Sequence, residues 1–124
     1  MSALNQLLDA YEKRDWEGFS SRLIPDPDAS LYATGADGKR IGRAEIKFHI
    51  ERDWSQTESS ALTLDWYAVS SAGPVAWVAA DGALRANVDG KSVTGRVRLT
   101  TVLEQRSGKW LVAHLHLSVP TPPT

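Results

Sequence analysis

The sequence contains no cysteine. The chain therefore cannot form a disulfide, use a thiolate as a nucleophile or bind a metal through sulfur. No stretch approaches the roughly 18 consecutive apolar residues that a membrane span requires. The residues from Met1 to Gln6 also lack the basic start and the apolar run of a signal peptide. These absences predict a cytoplasmic protein whose fold depends on packing alone and which has no membrane partner.

The sequence also lacks a marked excess of either charge, because 14 lysines and arginines are balanced by 15 aspartates and glutamates. This balance gives no electrostatic reason to expect nucleic acid as a partner. A chain of 124 residues suits one domain, which we expect to span residues 1–120, with a loose tail over 121–124. Five tryptophans are many for this length, and they indicate either a large core or an aromatic-walled cavity.

Two helices are predicted to begin the chain. Residues 3–14 carry apolar side chains at the spacing of an amphipathic helix: Leu4, Leu7, Leu8 and Tyr11. Asp15 is placed to cap a second, short helix. The inner positions of this second helix recur at helical spacing until Pro25 and the residues up to Asp28 end it: Trp16, Phe19 and Leu23.

A third helix is predicted from Arg43 to Gln56, with a buried face marked by Ile46, Ile50 and Trp54. At about 100° per residue, His49 and Asp53 fall within that buried arc. They are four residues apart and therefore neighbours on the helix surface. The two polar side chains are expected to point inward together.

This histidine–aspartate pair is the most specific hypothesis for chemistry. A carboxylate that accepts a hydrogen bond from one imidazole nitrogen leaves the other nitrogen to take a proton from a substrate carbon or to activate a water. In an apolar cavity, His49 and Asp53 would suit proton abstraction next to a carbonyl group. The alternative is that the two side chains only satisfy each other at the edge of the core.

The second half of the chain is predicted to form long strands. One short strand precedes the third helix and four longer strands follow it: 29–34, 62–69, 75–88, 92–105 and 109–119. Asp81-Gly82 lies inside one of them, and we interpret it as a bend in a continuous strand rather than a hairpin turn. Long antiparallel strands with such a bend form a curved sheet, and the three helices can pack on its concave side.

The last strand is predicted to have no solvent face. Strict alternation places one set of residues on one face, Trp110, Val112, His114, His116 and Ser118, and the intervening apolar residues on the other. A strand covered on both faces lies in the middle of a sheet. We expect the helices to cover one face and a second copy of the chain to cover the other, which predicts a homodimer through the sheet.

The order of these elements resembles that of the SnoaL-like branch of the nuclear transport factor 2-like superfamily. The sequence of the last strand resembles it too, over residues 108–118: Gly-Lys-Trp-Leu-Val-Ala-His-Leu-His-Leu-Ser. The segments 41–46 and 76–78 support the resemblance. The last strand is also similar to that of the association domain of calcium/calmodulin-dependent kinase II. The resemblance implies an α+β fold, namely a cone-shaped, cystatin-like roll with three N-terminal helices packed on a strongly curved antiparallel sheet.

The same resemblance leaves the function open, because the superfamily includes isomerases, cyclases, dehydratases and non-catalytic assembly domains. Its enzymes imply a buried aspartate as base, for which Asp53 and Asp81 are the candidates. Asp81 shares a strand face with Trp77 and would act as a base only if that face lined the pocket; the alternative is a plain Asp-Gly turn. The pocket arginines of the kinase association domain fall near Ala79 and Thr101, so its acidic-ligand pocket is not implied.

His114 and His116 lie two residues apart on one strand, a spacing at which two imidazoles can bind one metal. A metal needs a third ligand, and only His49 from a helix could provide a third imidazole. We therefore predict no metal and no cofactor, and we expect these histidines to form hydrogen bonds across the fold or a dimer interface.

We expect a cavity that binds a small apolar molecule, with isomerase-, cyclase- or dehydratase-type acid–base chemistry at His49, Asp53 or Asp81. Its predicted lining is mainly aromatic: Tyr11, Trp16, Tyr32, Trp54, Trp77 and Thr101. The alternative, from another functional class, is a non-catalytic dimerisation or ligand-sensing module.

Overall fold

The computed structural model describes residues 2–25 and 27–122, which form three helices and six strands. In chain order these are α1 (Ser2–Lys13), α2 (Trp16–Ser20), β1 (Ser30–Tyr32), β2 (Lys39–Ile41), α3 (Arg43–Gln56), β3 (Ser59–Ala72), β4 (Val75–Val88), β5 (Lys91–Arg106) and β6 (Lys109–Ser118). Asp26 of the predicted helix stop, and Pro123 and Thr124 of the predicted tail, lie outside the described residues. The predicted α+β class, with three helices against one curved and mostly antiparallel sheet, is confirmed.

The first two helices form where the apolar spacing predicts them. The buried residues of α1 recur along one face: Ala3, Leu4, Leu7 and Ala10. The Asp15 carboxylate accepts a hydrogen bond from the Gly18 backbone N–H at 3.0 Å and so caps α2. The prediction that α2 continues to Leu23 is wrong, because Leu23 instead forms a parallel bridge to Val112 of β6.

The six strands form a single sheet in the order β2-β1-β6-β5-β4-β3. Neighbouring strands are antiparallel except for β1 and β6, which are parallel. The sequence did not predict β2, because only Ile41 of its three residues is apolar. This strand pairs with β1 across the turn at 35–38, and the register places Arg40 opposite Leu31.

The interpretation of Asp81-Gly82 as part of one continuous strand is confirmed, since β4 runs without a break from Val75 to Val88. The extra residue that disturbs the ladder lies across from it, in β3, where the register shifts between Leu64 and Trp66. A Cβ atom on Gly82 would lie 2.4 Å from the Thr63 carbonyl oxygen. Glycine therefore permits the close approach of the two backbones at this bulge.

The strict alternation predicted for the last strand is wrong, because β6 contains a bulge. Val102 pairs with His114 and Leu103 pairs with Val112, so Ala113 has no partner in the ladder. One extra residue reverses the phase of the side chains that follow it. Val112 therefore lies on the same side of the sheet as Leu115, and not on the side of His114.

The helices cover the concave face of the sheet, and the core forms between them. The buried strand residues of this face alternate along the central strands: Val78, Ala80, Val97, Leu99, Leu103 and Leu115. The opposite side is called the outer face, and its residues follow from the same ladder: Tyr32, Trp66, Trp77, Asp81, Arg98, His114 and His116. None of the helices in the described part of the chain is both long and apolar enough to cross a membrane.

Candidate functional site

A pocket of about 360 Å³ lies between the helices and the concave face of the sheet. This volume is within the usual range for small-molecule sites, roughly 300–1,000 Å³. Most of its lining is aliphatic and comes from both layers of the fold, including Leu7, Leu31, Leu62, Leu84, Leu99 and Leu115. The pocket can therefore accommodate a compact and mainly apolar molecule.

Four of the polar side chains in this lining are called the polar cluster: Tyr11, His49, Asp53 and Ser60. The Tyr11 hydroxyl donates to Oδ2 of Asp53 at 3.4 Å. The Nε2 atom of His49 lies 3.9 Å from the same oxygen. The first distance is at the long end of the hydrogen-bond range, and the second is too long for a direct hydrogen bond.

Ser60 contributes an unpaired hydroxyl to the polar cluster. The residue is 5% exposed, and its Oγ makes no hydrogen bond of normal geometry among the described residues, although it lies close enough to the Tyr11 hydroxyl to act against the rise that burial causes in the pKa of that phenol. A buried hydroxyl without a partner loses the free energy of its hydrogen bonds to water. A polar atom of a bound molecule would recover that free energy.

The polar cluster is held by contacts between α1 and α3. The Trp54 indole N–H donates to the Tyr11 carbonyl oxygen at 3.0 Å, and the two rings lie 6.2 Å apart. Arg14 donates to the carbonyl oxygens of Trp54 and Thr57 and so binds the end of α3. These contacts fix the position of Asp53 relative to Tyr11.

Burial controls the protonation of the polar cluster. It raises the pKa of the Asp53 carboxyl above its ordinary value, although His49 and Arg52 act against this shift. It lowers the pKa of the His49 imidazole, which is only 6% exposed. It also raises the pKa of the Tyr11 hydroxyl. At neutral pH the cluster therefore combines a neutral imidazole and a neutral phenol with a carboxyl group that binds protons more strongly than an exposed aspartate does.

The second nitrogen of His49 is not free, in contrast to the sequence-based hypothesis. The Nε–H of Arg40 donates to Nδ1 of His49 at 3.3 Å. The wheel of α3 places His49 and Asp53 together on the pocket, but it carries no information about Arg40, which reaches the histidine from β2. This contact removes Nδ1 as a site for accepting a proton from a ligand.

A turn of the chain is tied to α3 beside the pocket. Thr34 and Gly35 line the pocket, as does Arg52 of α3. The Arg52 guanidinium forms a 2.7 Å ion pair with Asp37 of the same turn. This ion pair fixes the segment between β1 and β2 against the helix.

Asp81 lies outside this pocket. Its partner in the ladder is Arg98, and both belong to the outer face, where Asp81 is exposed. Trp77 and Ala79 share that face, as predicted, but the face does not line the pocket, because the neighbouring residues Val78 and Ala80 point to the core instead. The condition for Asp81 to act as a buried base is therefore not met.

Of the residues predicted to line a ligand cavity, Tyr11 is on the pocket and five are not. Trp16 stacks on Phe19 within α2, and Trp54 lies behind Tyr11. Tyr32 and Trp77 lie on the outer face at 37% and 43% exposure. Thr101 faces the core and is fully buried with an unpaired hydroxyl. Large aromatic residues proved a poor guide because they also suit helix contacts and outer sheet faces.

The two histidines of β6 lie on the outer face with Tyr32. Their ring centroids are 6.1 Å apart, and each lies within 5.4 Å of the tyrosine ring. His114 Nδ1 is 2.7 Å from the Ser30 hydroxyl. In the described part of the chain, no three histidine, aspartate or glutamate side chains are grouped as metal ligands would be.

Sequence analysis missed two residues of the site, Arg40 and Ser60. Ser60 is one small polar residue at the start of a strand and carries no motif. A signal for Arg40 does exist in the sequence. The turn that ends at Gly38 reverses the chain, so the residues after it, including Arg40, can pair with the strand that precedes the turn. Only the pairing of β2 with β1 shows that its side chain reaches α3.

Comparison with known proteins agrees with this architecture. Residues 1–122 match the family model of the SnoaL-like domain. No functionally curated protein is significantly similar to the chain. Among solved structures, 376 chains are significantly similar to this one.

Three of these structures illustrate the range. A proposed dehydratase of the nuclear transport factor 2-like family from Streptomyces avermitilis is 22% identical, with a TM-score of 0.87, over 97% of this chain and 92% of that one. A proposed calcium/calmodulin-dependent protein kinase II association domain from Xanthomonas campestris is 21% identical, with a TM-score of 0.83, over 94% and 82%. A nuclear transport factor 2-like protein with a cystatin-like fold from Novosphingobium aromaticivorans is 15% identical, with a TM-score of 0.77, over 95% and 77%.

At these identities the structural likeness shows the fold and not the activity. It confirms the nuclear transport factor 2-like architecture and the likeness to the kinase association domain that the last strand indicated. The family match is more specific, because it extends over nearly the whole chain. The chain belongs to the SnoaL-like domain family.

Proposed function

We propose that the pocket binds a small, mainly apolar carbonyl compound and that Asp53 transfers a proton on it. The observation that carries this proposal is the convergence of Tyr11 and His49 on one oxygen of Asp53 in a mainly aliphatic pocket. Ser60 adds an unpaired hydroxyl to the same lining. Such a mixture of apolar walls and a few convergent polar groups is typical of ligand sites.

The proposed step is the removal of a proton from the carbon next to the carbonyl group. The C–H bond breaks, its proton goes to the Asp53 carboxylate, and its electron pair forms a C=C bond while negative charge moves to the carbonyl oxygen. Hydroxyl or N–H donors in a site that excludes water stabilise this charge. Return of the proton from Asp53 to another carbon isomerises the compound. Transfer of that proton to a β-hydroxyl instead, with cleavage of its C–O bond, releases water and dehydrates the compound.

The environment of Asp53 supports its role as the base. A carboxyl group whose pKa is raised by burial takes a proton from carbon more readily than an exposed one. The similar structure from Streptomyces avermitilis is a proposed dehydratase, which is a class of enzyme consistent with this chemistry.

Deuterium exchange tests the proposal without knowledge of the natural substrate. A panel of alicyclic and aromatic ketones that fit about 360 Å³ is incubated with the protein in D₂O, and loss of the α-proton signals is followed by NMR. We expect the wild type to accelerate exchange for at least one ketone, Asp53→Asn to abolish the acceleration, and Asp65→Asn to retain it. Equal exchange by wild type and Asp53→Asn across the whole panel would overturn the proposal and favour a non-catalytic module.

The outer face supports a second proposal, namely that two copies of the chain associate through it. It exposes two tryptophans, Trp66 at 55% and Trp77 at 43%. Charges of both signs lie on or beside this face: Asp65, Asp81 and Glu104 with Arg96, Arg98 and Arg106. A face that carries charges of both signs can meet a copy of itself with opposite charges opposed.

Light scattering after size-exclusion chromatography measures this association. We expect the wild type to elute as a dimer and Trp77→Glu to elute as a folded monomer. Val93→Glu is the matched control, because Val93 is 57% exposed but pairs with Ala86 away from the outer-face residues. A monomeric wild type, or an equal effect of the two substitutions, would exclude an interface at this face.

A further inference from the structure

We infer that Arg40 is a positioning residue that makes His49 a hydrogen-bond donor in the pocket rather than a base. The Nε–H of Arg40 donates to Nδ1 of His49 at 3.3 Å. A guanidinium group can only donate, so Nδ1 must offer its lone pair, and the one proton of the neutral imidazole must be on Nε2. The donor role of His49 in catalysis rests on the proposed function, whereas the position of its proton, which Arg40 determines, does not.

Arg40 is fixed in place on three sides. Its side chain is only 16% exposed, and Nη2 lies 3.6 Å from Oδ2 of Asp37. The guanidinium carbon lies 5.2 Å from the centre of the Phe48 ring. The pairing of Arg40 with Leu31 directs the arginine toward the concave side, since Leu31 lines the pocket. An arginine held this way is preorganised to donate to the histidine.

The environment of His49 also opposes its protonation, although the neighbouring charges act in both directions. Arg40 from β2 and Arg52 from α3 are positive, while Asp53 from α3 and Asp37 from the turn are negative. Burial has the largest effect on the imidazole and favours its neutral form. A second proton on the ring would have to enter at Nδ1, where it would displace the Arg40 hydrogen bond.

The consequence for the pocket is a change in the role of His49. Its Nε2–H points toward the region of Asp53, with 3.9 Å between Nε2 and Oδ2. A ligand oxygen in the pocket can accept this hydrogen while the Asp53 carboxylate takes a proton from a neighbouring carbon. His49 would then join Tyr11 and Ser60 as a donor, and the pocket would prefer a ligand with an accepting oxygen, such as a carbonyl group, to one with a donating group.

The experiment is a pH titration of the ¹⁵N-labelled, ligand-free protein by NMR that reports both ring nitrogens of His49. The chain has 3 histidines, and the signals of His114 and His116 are identified by their replacement with glutamine. Arg40→Gln keeps an N–H donor at the same distance along the side chain but removes the charge. Arg40→Met removes both donor and charge, and Arg52→Met removes a nearby charge without touching Nδ1.

In the wild type at neutral pH we expect Nδ1 to show the shift of an unprotonated nitrogen and Nε2 that of a protonated one. The pKa of His49 should rise in Arg40→Met, because a nearby positive charge and the donor to Nδ1 are both removed. The rise should be smaller in both Arg40→Gln and Arg52→Met. A protonated Nδ1 in the wild type would overturn the inference even if a variant failed to fold, and so would equal titration of Arg40→Gln and Arg40→Met.

These results are independent of the deuterium-exchange assay. If the nitrogen shifts are as expected but no ketone exchanges its α-protons, the proposed function fails while the positioning role of Arg40 stands. If exchange depends on Asp53 but Nδ1 carries the proton, the function stands and the role of Arg40 fails.

Discussion

The two sides of the sheet carry similar polar residues in very different settings. On the concave side, Tyr11 and His49 converge on one carboxyl oxygen in a buried pocket. On the outer side, Tyr32 lies edge-on to His114 and His116; Tyr32 and His116 are exposed, His114 is half-buried, and none of the three has an acidic partner among the contacts of the described residues. Tyrosine and histidine therefore do not by themselves define a site; burial and a shared acidic partner distinguish the two clusters.

The acidic residues of the two sides differ in the same way. Burial raises the pKa of the Asp53 carboxyl. On the outer side, the Arg96 guanidinium donates to both carboxylate oxygens of Asp65, at 2.6 and 3.1 Å. These hydrogen bonds lower the pKa of Asp65. Asp65 is thus stabilised as an anion by a partner, whereas Asp53 is left with an increased affinity for a proton.

The largest difference between the two sides should appear in stability. Val78 is fully buried on the concave face, and its neighbour Trp77 is on the outer face. Val78→Ala should lower the free energy of unfolding by about 2–3 kcal/mol at every protein concentration, because it leaves a cavity in the core. Trp77→Ala should act mainly through association, so its effect should grow with protein concentration. Urea unfolding at several protein concentrations measures both, and a concentration-independent loss in Trp77→Ala would contradict the distinction.

A smaller effect is expected at the bulge between β3 and β4. Gly82→Ala should destabilise the protein by about 1–3 kcal/mol, because the new methyl group would lie 2.4 Å from the Thr63 carbonyl oxygen and force the strands apart. Gly95→Ala on β5 is the matched control, since no atom lies within 4 Å of a Cβ there. Thermal unfolding of the two variants should separate them clearly; similar midpoints would show that the sheet relaxes at Gly82 without cost.

The smallest effects should have opposite signs for the two acids. The raised pKa of Asp53 means that burial penalises its ionised form in the native state. The native state therefore loses stability as pH rises from the pKa of Asp53 in the unfolded chain through its higher pKa in the native protein. Asp53→Asn should therefore be more stable than the wild type at neutral pH, and this gain should disappear in acid. The lowered pKa of Asp65 provides stability above its unfolded pKa that is lost as pH falls through the native one. Asp65→Asn should be slightly less stable at neutral pH.

Chemical denaturation from pH 3 to pH 8 tests these opposite signs. If Asp53→Asn lost stability at neutral pH while Asp65→Asn gained it, the assignment of the two environments would be reversed. Gain of stability on replacing a functional group is a common sign that its site is strained for function.

The sequence predicts which α3 residues face the pocket better than it predicts the strand pairings that bring other residues to them. The spacing of Ile46, Ile50 and Trp54 orients α3, and this orientation is enough to bring His49 and Asp53 to the pocket. Helical phase is a local property, so one stretch of sequence determines it.

The features that sequence analysis missed depend on pairing between distant segments. The bulge at Ala113 appears only in the pairing of β6 with β5, and it places Trp110 and Val112 on the opposite face from His114 and His116. The short strand β2 has little apolar pattern, yet its pairing with β1 delivers Arg40 to the histidine. The place of Asp81 could not be decided from the sequence, because alternation shows which residues share a face but not which face the helices cover.

The central claim is that the pocket raises the proton affinity of Asp53. The most direct test is a titration of carboxyl-¹³C aspartate signals by NMR in the ligand-free protein, with Asp53→Asn and Asp65→Asn identifying the two resonances. We predict that Asp53 titrates above the ordinary value of 3.8 and that Asp65 titrates below it. Titration of Asp53 at or below the midpoint of Asp65 would contradict the account.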